Sequence, residues 1–172
     1  NDEKAKVDII NSLKDEHIRL SLVPNLENNE NKFLVIAAIT SKELKNSALK
    51  SIDNYKEVMN TFFEKGNFEY LYHFDKDILR EVFDKKQIEI LEEYTKIKNE
   101  NIRKSFSNYV VSNYDNLNMV NLGKISQILT RIELSNSSEL QAFGDLIASQ
   151  VLNSKDPIRY FNKVEDVFIR NN

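Results

Sequence analysis

The chain has 172 residues, a formal net charge of −3, and 41% hydrophobic against 30% charged residues. That is enough apolar material for a real core, and it lacks the global basicity that a polyanion or an anionic membrane selects. The absence of Cys excludes disulfides, thiolate metal sites and a Cys nucleophile, and only three Gly and two Pro argue against a loop-rich all-β fold.

No run approaches the ~18 apolar residues that a membrane-spanning helix needs, so no membrane partner is expected. Asn and Lys are abundant, which reads as the coding bias of an AT-rich genome. The N-terminal stretch NDEKAKVDII has no Met and no signal-peptide pattern. The sequence also stops at FIRNN, just after a strong helical pattern. Both ends read as cuts from a longer protein. A cytoplasmic location is expected, with any signal peptide outside this segment.

Residues 6–57 divide into four consecutive 13-residue units. Ile10, Val23, Ile36 and Leu49 share one column, and Leu13, Leu26, Ile39 and Ile52 share another. Within a unit the apolar positions are i, i+4, i+5 and i+8; in the second these are Ile18, Leu22, Val23 and Leu26. That spacing makes one face of an α-helix. At ~100° per residue, 13 residues rotate the face by about 220°. One continuous helix would therefore throw the stripe to its opposite side at every unit, so each unit must be a short helix followed by a turn. Asp15, Asn28, Ser41 and Asn54 share the turn column, and all four are good N-cap residues. Helices of about ten residues are marginal alone and need neighbours, as in a solenoid. Pro24 should end or bend the second helix.

These columns resemble compact HEAT-like helical arrays, in particular the 13-residue arrays of larger proteins from low-GC Gram-positive bacteria. The resemblance covers about residues 5–57. It implies an architecture and a protein-binding or scaffolding context, and it carries over no functional residue.

The period fails after residue 58, where VMNTFFEKGNFEYLYHFD gathers Phe62, Phe63, Phe68, Tyr70, Tyr72 and Phe74 around Gly66. Rings of this size commonly form a core junction; the alternatives are an exposed platform for a partner, or a short strand over 68–74 with nothing to pair with. Asp75 or Asp77 predicts a cap for a helix through about Phe83. Further helices follow over 85–98, with Ile88, Leu91 and Ile97, and over 101–113, with Ile102, Phe106, Tyr109 and Val110. Leu122, Ile125, Ile128, Leu129 and Ile132 predict another, ending at Leu134. Asn136 with Glu139 reads as a capping box for a helix carrying Leu140, Phe143, Ile147 and Val151. Asp156-Pro157 opens the last one, with Phe161, Val164, Val167 and Phe168.

The reading is all-α: a short-helix repeat solenoid over 1–58, an aromatic-rich junction over 59–76 and a helical bundle over 77–172, packed or fused together.

The chemistry is sparse. His17 and His73 have no ligand-spaced partner, so no metal site is assigned. The serines sit in neither a GxSxG elbow nor an SxxK motif. Gly66, Gly123 and Gly144 are isolated, and LGKISQ lacks the upstream Gly of a phosphate loop. Glu89, Glu92 and Glu93 read as a solvated face, with Glu92–Lys96 and Glu100–Lys104 as i,i+4 pairs. No catalytic residue and no cofactor are assigned.

One polar regularity recurs. Lys6, Arg19, Lys32 and Lys45 form a column. It reads either as a solvated rim whose stems cover core edges or as a basic groove for an acidic peptide or a phosphate backbone. With Tyr70 and Tyr72 these are the candidate binding residues. Four cations in a net-negative chain argue against nucleic acid. The functional expectation is a non-catalytic interaction or scaffolding module of a larger bacterial protein, with a protein or peptide partner. The alternative is an enzyme, or an enzyme's accessory domain, with its catalytic parts elsewhere.

Overall fold

The computed structural model describes residues 2–119, 122, 123 and 125–127. Among these the regular structure is entirely helical, without strands. The helices expected from Ile128 onward, including the Asn136 and Asp156 starts, lie outside the described residues. Among the described residues no helix is long and apolar enough to cross a membrane.

The opening helices are α1 (Glu3–Ser12), α2 (Glu16–Leu22), α3 (Asn29–Ala37) and α4 (Lys42–Leu49). Each starts where a polar side chain takes up an otherwise orphaned amide. Asp15 Oδ1 accepts from His17 N at 2.8 Å and Ile18 N at 3.2 Å. Asn28 Oδ1 accepts from Glu30 N at 2.7 Å, and Ser41 Oγ from Leu44 N at 3.5 Å. Asp2, one period before Asp15, caps α1 in the same way. The cap column therefore extends back from Asp15 to Asp2, at the start of the helix that carries Ile10. Pro24 stands in a 3-10 turn, Val23–Asn25, and α2 stops at Leu22. The missing N–H and fixed φ of proline account for that early end.

The apolar columns point inward. Ile10, Val23, Ile36, Leu49, Leu26, Ile39 and Ile52 are buried, and Leu13 is half-buried. Full burial of such a side chain contributes roughly 1.5–3 kcal/mol. Ile18 departs from the expected face and is exposed. α1 packs on α3, and α3 also packs on α4 and on α5 (Tyr55–Glu64), so α3 is central and its Phe33 is fully buried.

Beyond α4 the 13-residue spacing persists in the breaks, and buried Phe62 carries the Ile10 column one step further, while the Leu13 column ends at Lys65. Asn54 precedes α5, and Asn67, 13 residues on, precedes a 3-10 turn, Phe68–Tyr70. Neither accepts a side-chain capping bond. Asn54 is left-handed, with φ 58° and ψ 32°. Gly66, at φ 75°, closes α5 with two bonds: Gly66 N–H to Phe63 O and Asn67 N–H to Phe62 O, both 2.9 Å. This paired closure needs a left-handed residue after the helix, which glycine adopts without strain.

The aromatic segment forms a core. Phe62 lies 4.6 Å from Phe33 and Phe74 lies 5.7 Å from it, centroid to centroid. Phe63 contacts Phe68 and Phe83 at 4.9 and 5.6 Å. α6 (Lys76–Val82) buries Ile78 and Leu79. α7 (Lys85–Lys96) opens with a capping box that the sequence reading passed over. There Asp84 Oδ1 accepts from Gln87 N at 2.8 Å, and Gln87 Oε1 accepts from Asp84 N at 3.0 Å.

The chain divides into two compact units, Asn1–Ile88 and Glu89–Asn172. The whole aromatic segment and α6 belong to the first. In the second, Ile90, Leu91, Tyr94 and Ile97 are buried, as are Phe106, Tyr109 and Val110 of α8 (Glu100–Asn113). Leu117, Leu122 and Ile125 are buried too. Burial pushes the Tyr109 phenol well above its ordinary pKa.

Candidate functional site

The four cations of the basic column occupy equivalent positions on α1 to α4, but they meet different surroundings. Lys6 and Lys32 are half-buried on the two helices that pack together, α1 and α3. Arg19 is turned to the backbone: its Nε donates to Leu13 O at 2.5 Å and Nη1 to Ala38 O at 3.4 Å. It thus joins the loop after α1 to the end of α3. Lys45 is buried, with 4% of its surface exposed, which corrects the expectation of a uniformly solvated rim.

The surroundings of Lys45 explain that difference. Its Nζ sits 5.4 Å from the centroid of Phe74, over the ring face, where the ring quadrupole attracts a cation. Burial lowers its pKa; the Glu16 carboxylate opposes that shift and Lys42 adds to it. The neighbouring side chains of α4 hold the start of α6. Asn46 Nδ2 donates to Asp75 Oδ2, and Lys42 Nζ lies 3.9 Å from Asp75 Oδ1. Asp75 precedes α6 without capping it. Its carboxylate instead ties the end of the aromatic segment to α4. Two residues before Asp75 stands exposed His73, whose ring lies 3.8 Å from that of Tyr72. Desolvation, and then the Lys45 charge, favour its neutral form.

The two tyrosines are half-buried. Tyr70 meets Phe62 edge-on at 5.7 Å. Desolvation raises its phenol pKa, with Glu69 adding to the effect. Tyr70 thus rests partly in the aromatic core and partly in solvent, and Tyr72 is half-buried beside His73.

A regular polar device among the described residues was not singled out from the sequence. The first residue of each of the first three helices reaches the start of the helix two units on. Glu3 Oε1 accepts from Glu27 N at 2.6 Å, and Oε2 from Asn28 N at 3.4 Å and Asn31 Nδ2 at 2.6 Å. Glu16 repeats this 13 residues later, accepting from Thr40 N at 2.5 Å and Ser41 N at 3.2 Å. Asn29 varies it, donating Nδ2 to Asp53 O at 3.0 Å. The span is 24 or 25 residues each time for the backbone contacts. Backbone hydrogen bonding pulls both glutamates below the ordinary carboxylate pKa, led by the bond from Glu27 for Glu3 and from Thr40 for Glu16. Asp2-Glu3 and Asp15-Glu16, an acidic pair at matching positions, was the available signal.

Lys104 bonds Glu100 at 3.2 Å, as the i,i+4 spacing predicts, whereas Lys96 bonds Glu93 at 2.6 Å, three residues back, where Glu92 was the expected partner. The Glu93 side chain is only 13% exposed, which corrects its reading as part of a solvated face. Among the described residues no group of three or more His, Asp or Glu side chains is placed to hold a metal ion. Gly123 of LGKISQ has open space where a Cβ would stand, so nothing there requires glycine.

No protein-family model matches the chain, and no curated protein or solved structure matches it.

Proposed function

We propose that the chain is a non-catalytic interaction module: an N-terminal array of 13-residue helical units, HEAT-like in plan and fused to a helical bundle, that holds a protein or peptide partner. The observation that carries this reading is the recurring reach of Glu3, Glu16 and Asn29 across 24 or 25 residues. A side chain that repeats its job at the helix period links alternate units, and linked units make an extended surface of the kind that binds other chains. The titratable groups add support. The perturbed carboxylates Glu3 and Glu16 are occupied by backbone amides, and Lys45 is sealed against Phe74.

The test is photo-crosslinking in the native host, with a photoreactive residue placed singly at Lys6, Lys32, Tyr70 and Tyr72 of the full chain. A discrete protein adduct from at least one position is expected. Adducts to nucleic acid alone, or none to protein at any of the four, would overturn the reading.

A further inference from the structure

Lys45 carries its charge into the core and leaves it unmatched. No other charged residue among the described ones is buried as deeply, with 4% of its surface exposed. Its Nζ makes no hydrogen bond and no ion pair with any described residue. The Phe74 face, 5.4 Å away at its centroid, closes one side of the ammonium but offers no oxygen to its N–H donors. A buried ammonium without an acceptor is costly, and such groups are normally paired.

The charges around it show what is missing. Arg19 is close enough to Glu16 to favour its carboxylate, and both Glu16 oxygens accept backbone amides, from Thr40 and Ser41. Asp75 is held by Asn46 and Lys42. His73 has its neutral form favoured. Three cations, Arg19, Lys42 and Lys45, thus face two carboxylates, Glu16 and Asp75, and the charge left over is that of Lys45. One added negative charge balances the group, whereas a phosphate dianion overshoots it beside Glu16 and Asp75. Lys42 and His73 are both exposed and both within electrostatic reach of Lys45, so they mark the approach from solvent. The Tyr72 ring, 3.8 Å from that of His73, adds apolar surface for a methylene stem.

We propose that Lys45 anchors a carboxylate site, in which an Asp or Glu side chain of a partner protein reaches the ammonium between Lys42 and His73. The incoming oxygens take the N–H donors that the ring leaves unmet, and the pair is a charge-assisted one. Of the basic column, this assigns the binding role to one member: Arg19 already spends its donors on Leu13 O and Ala38 O. The inference rests on the interaction-module reading and names the chemistry of its partner.

The experiment is an NMR titration of the full chain with a capped Gly-Gly-Glu-Gly-Gly peptide, read at His73. The chain has two histidines, so H17N leaves that imidazole as the one reporter. A carboxylate arriving beside His73 favours its protonated form, so its titration midpoint should rise as the peptide saturates. The Gln version of the peptide should bind about tenfold more weakly or not at all, because a hydrogen bond to a charged group carries that much affinity. K45M fills the same recess without the charge and should lose binding to the same extent. K50M, at an exposed position, should bind as the parent does. Equal binding of the Glu and Gln peptides, or of the parent and K45M, would overturn the site, as would a His73 midpoint that never moves. Acetate binding as tightly as the peptide would make the ligand a free small acid, and phosphate binding more tightly than either would make it a dianion; each result overturns the inference. A protein crosslinked at Lys6 or Tyr70 while the Glu and Gln peptides bind alike would sink the carboxylate site alone and leave the interaction-module reading standing.

Discussion

Helices α1 to α4 and the segment from Asn54 to Phe83 share a spacing but build their breaks differently. Through Ser41, every break carries a side chain that accepts an amide of the next helix. At Asn54 and Asn67 the break remains and the capping bond is gone. Over the same boundary the buried aliphatic columns give way to phenyl rings. The spacing is therefore the more basic feature. A helix must stop where its apolar face would rotate away from the core, and the means of stopping it is local and replaceable.

The sharpest way to break the comparison is at its seam. Phe33 belongs to α3 by sequence and to the aromatic cluster by contact, lying against both Phe62 and Phe74. Phe33→Ala should cost about 3–5 kcal/mol in urea melts, the range for an emptied aromatic site in a core. A cost below about 1 kcal/mol would mean that the two regions do not share a packed interior. Leu26→Ala and Ile39→Ala, both within the regular units and nearly fully buried, should follow at about 2–5 kcal/mol. If either were tolerated as readily as a surface change, the inward-facing column would be wrong at that position.

The capping residues separate the two regions more finely. Asn28→Ala should cost about 0.5–2 kcal/mol, because the amide of Glu30 loses its acceptor. Asn54→Ala should cost a similar amount for another reason, since an alanine in left-handed backbone is strained by roughly 1–2 kcal/mol. Glycine tells the two apart. Asn28→Gly should lose a few tenths of a kcal/mol, whereas Asn54→Gly should hold or raise stability by relieving the positive φ. The same response to glycine at both sites would remove the distinction between them.

The sequence made the rhythm of the first helices legible, along with most of their buried columns and three of their caps, because an apolar stripe and a cap are local patterns. It could not distinguish Asn28 from Asn54, which are one residue type in one column with opposite backbone signs. It placed Ile18 on a buried face, yet that side chain is exposed, since a column cannot show which of its members the fold leaves uncovered. It grouped Lys45 with Lys6, Arg19 and Lys32, yet only Lys45 has Phe74 above it. That contact spans 29 residues and depends on how the aromatic segment folds back. The glutamate reach was hidden for a similar reason. It runs between alternate units, while the reading compared each unit with the next.

The smallest effect is a pH dependence that distinguishes this reach from ordinary capping. Glu3 and Glu16 have folded pKa values below the reference 4.5. Each stabilises the fold fully above pH 4.5, and that contribution fades as pH falls through the lower folded value. Glu16→Gln keeps an amide oxygen to accept from Thr40 N but lacks the charge. It should therefore be less stable than the parent at pH 7, and the gap should close below pH 4.5 as the parent's carboxyl protonates. Lys45 acts at the other end of the scale. Its folded pKa lies below 10.5, so its burial cost is constant in acid and is relieved only as pH rises from the folded value towards 10.5. An acid-side gap that closes in Glu16→Gln therefore reports on the carboxylate alone. If the gap kept its size from pH 7 to well below the folded pKa, the charge on Glu16 would be irrelevant, and the bonds to Thr40 and Ser41 would be no stronger than neutral ones.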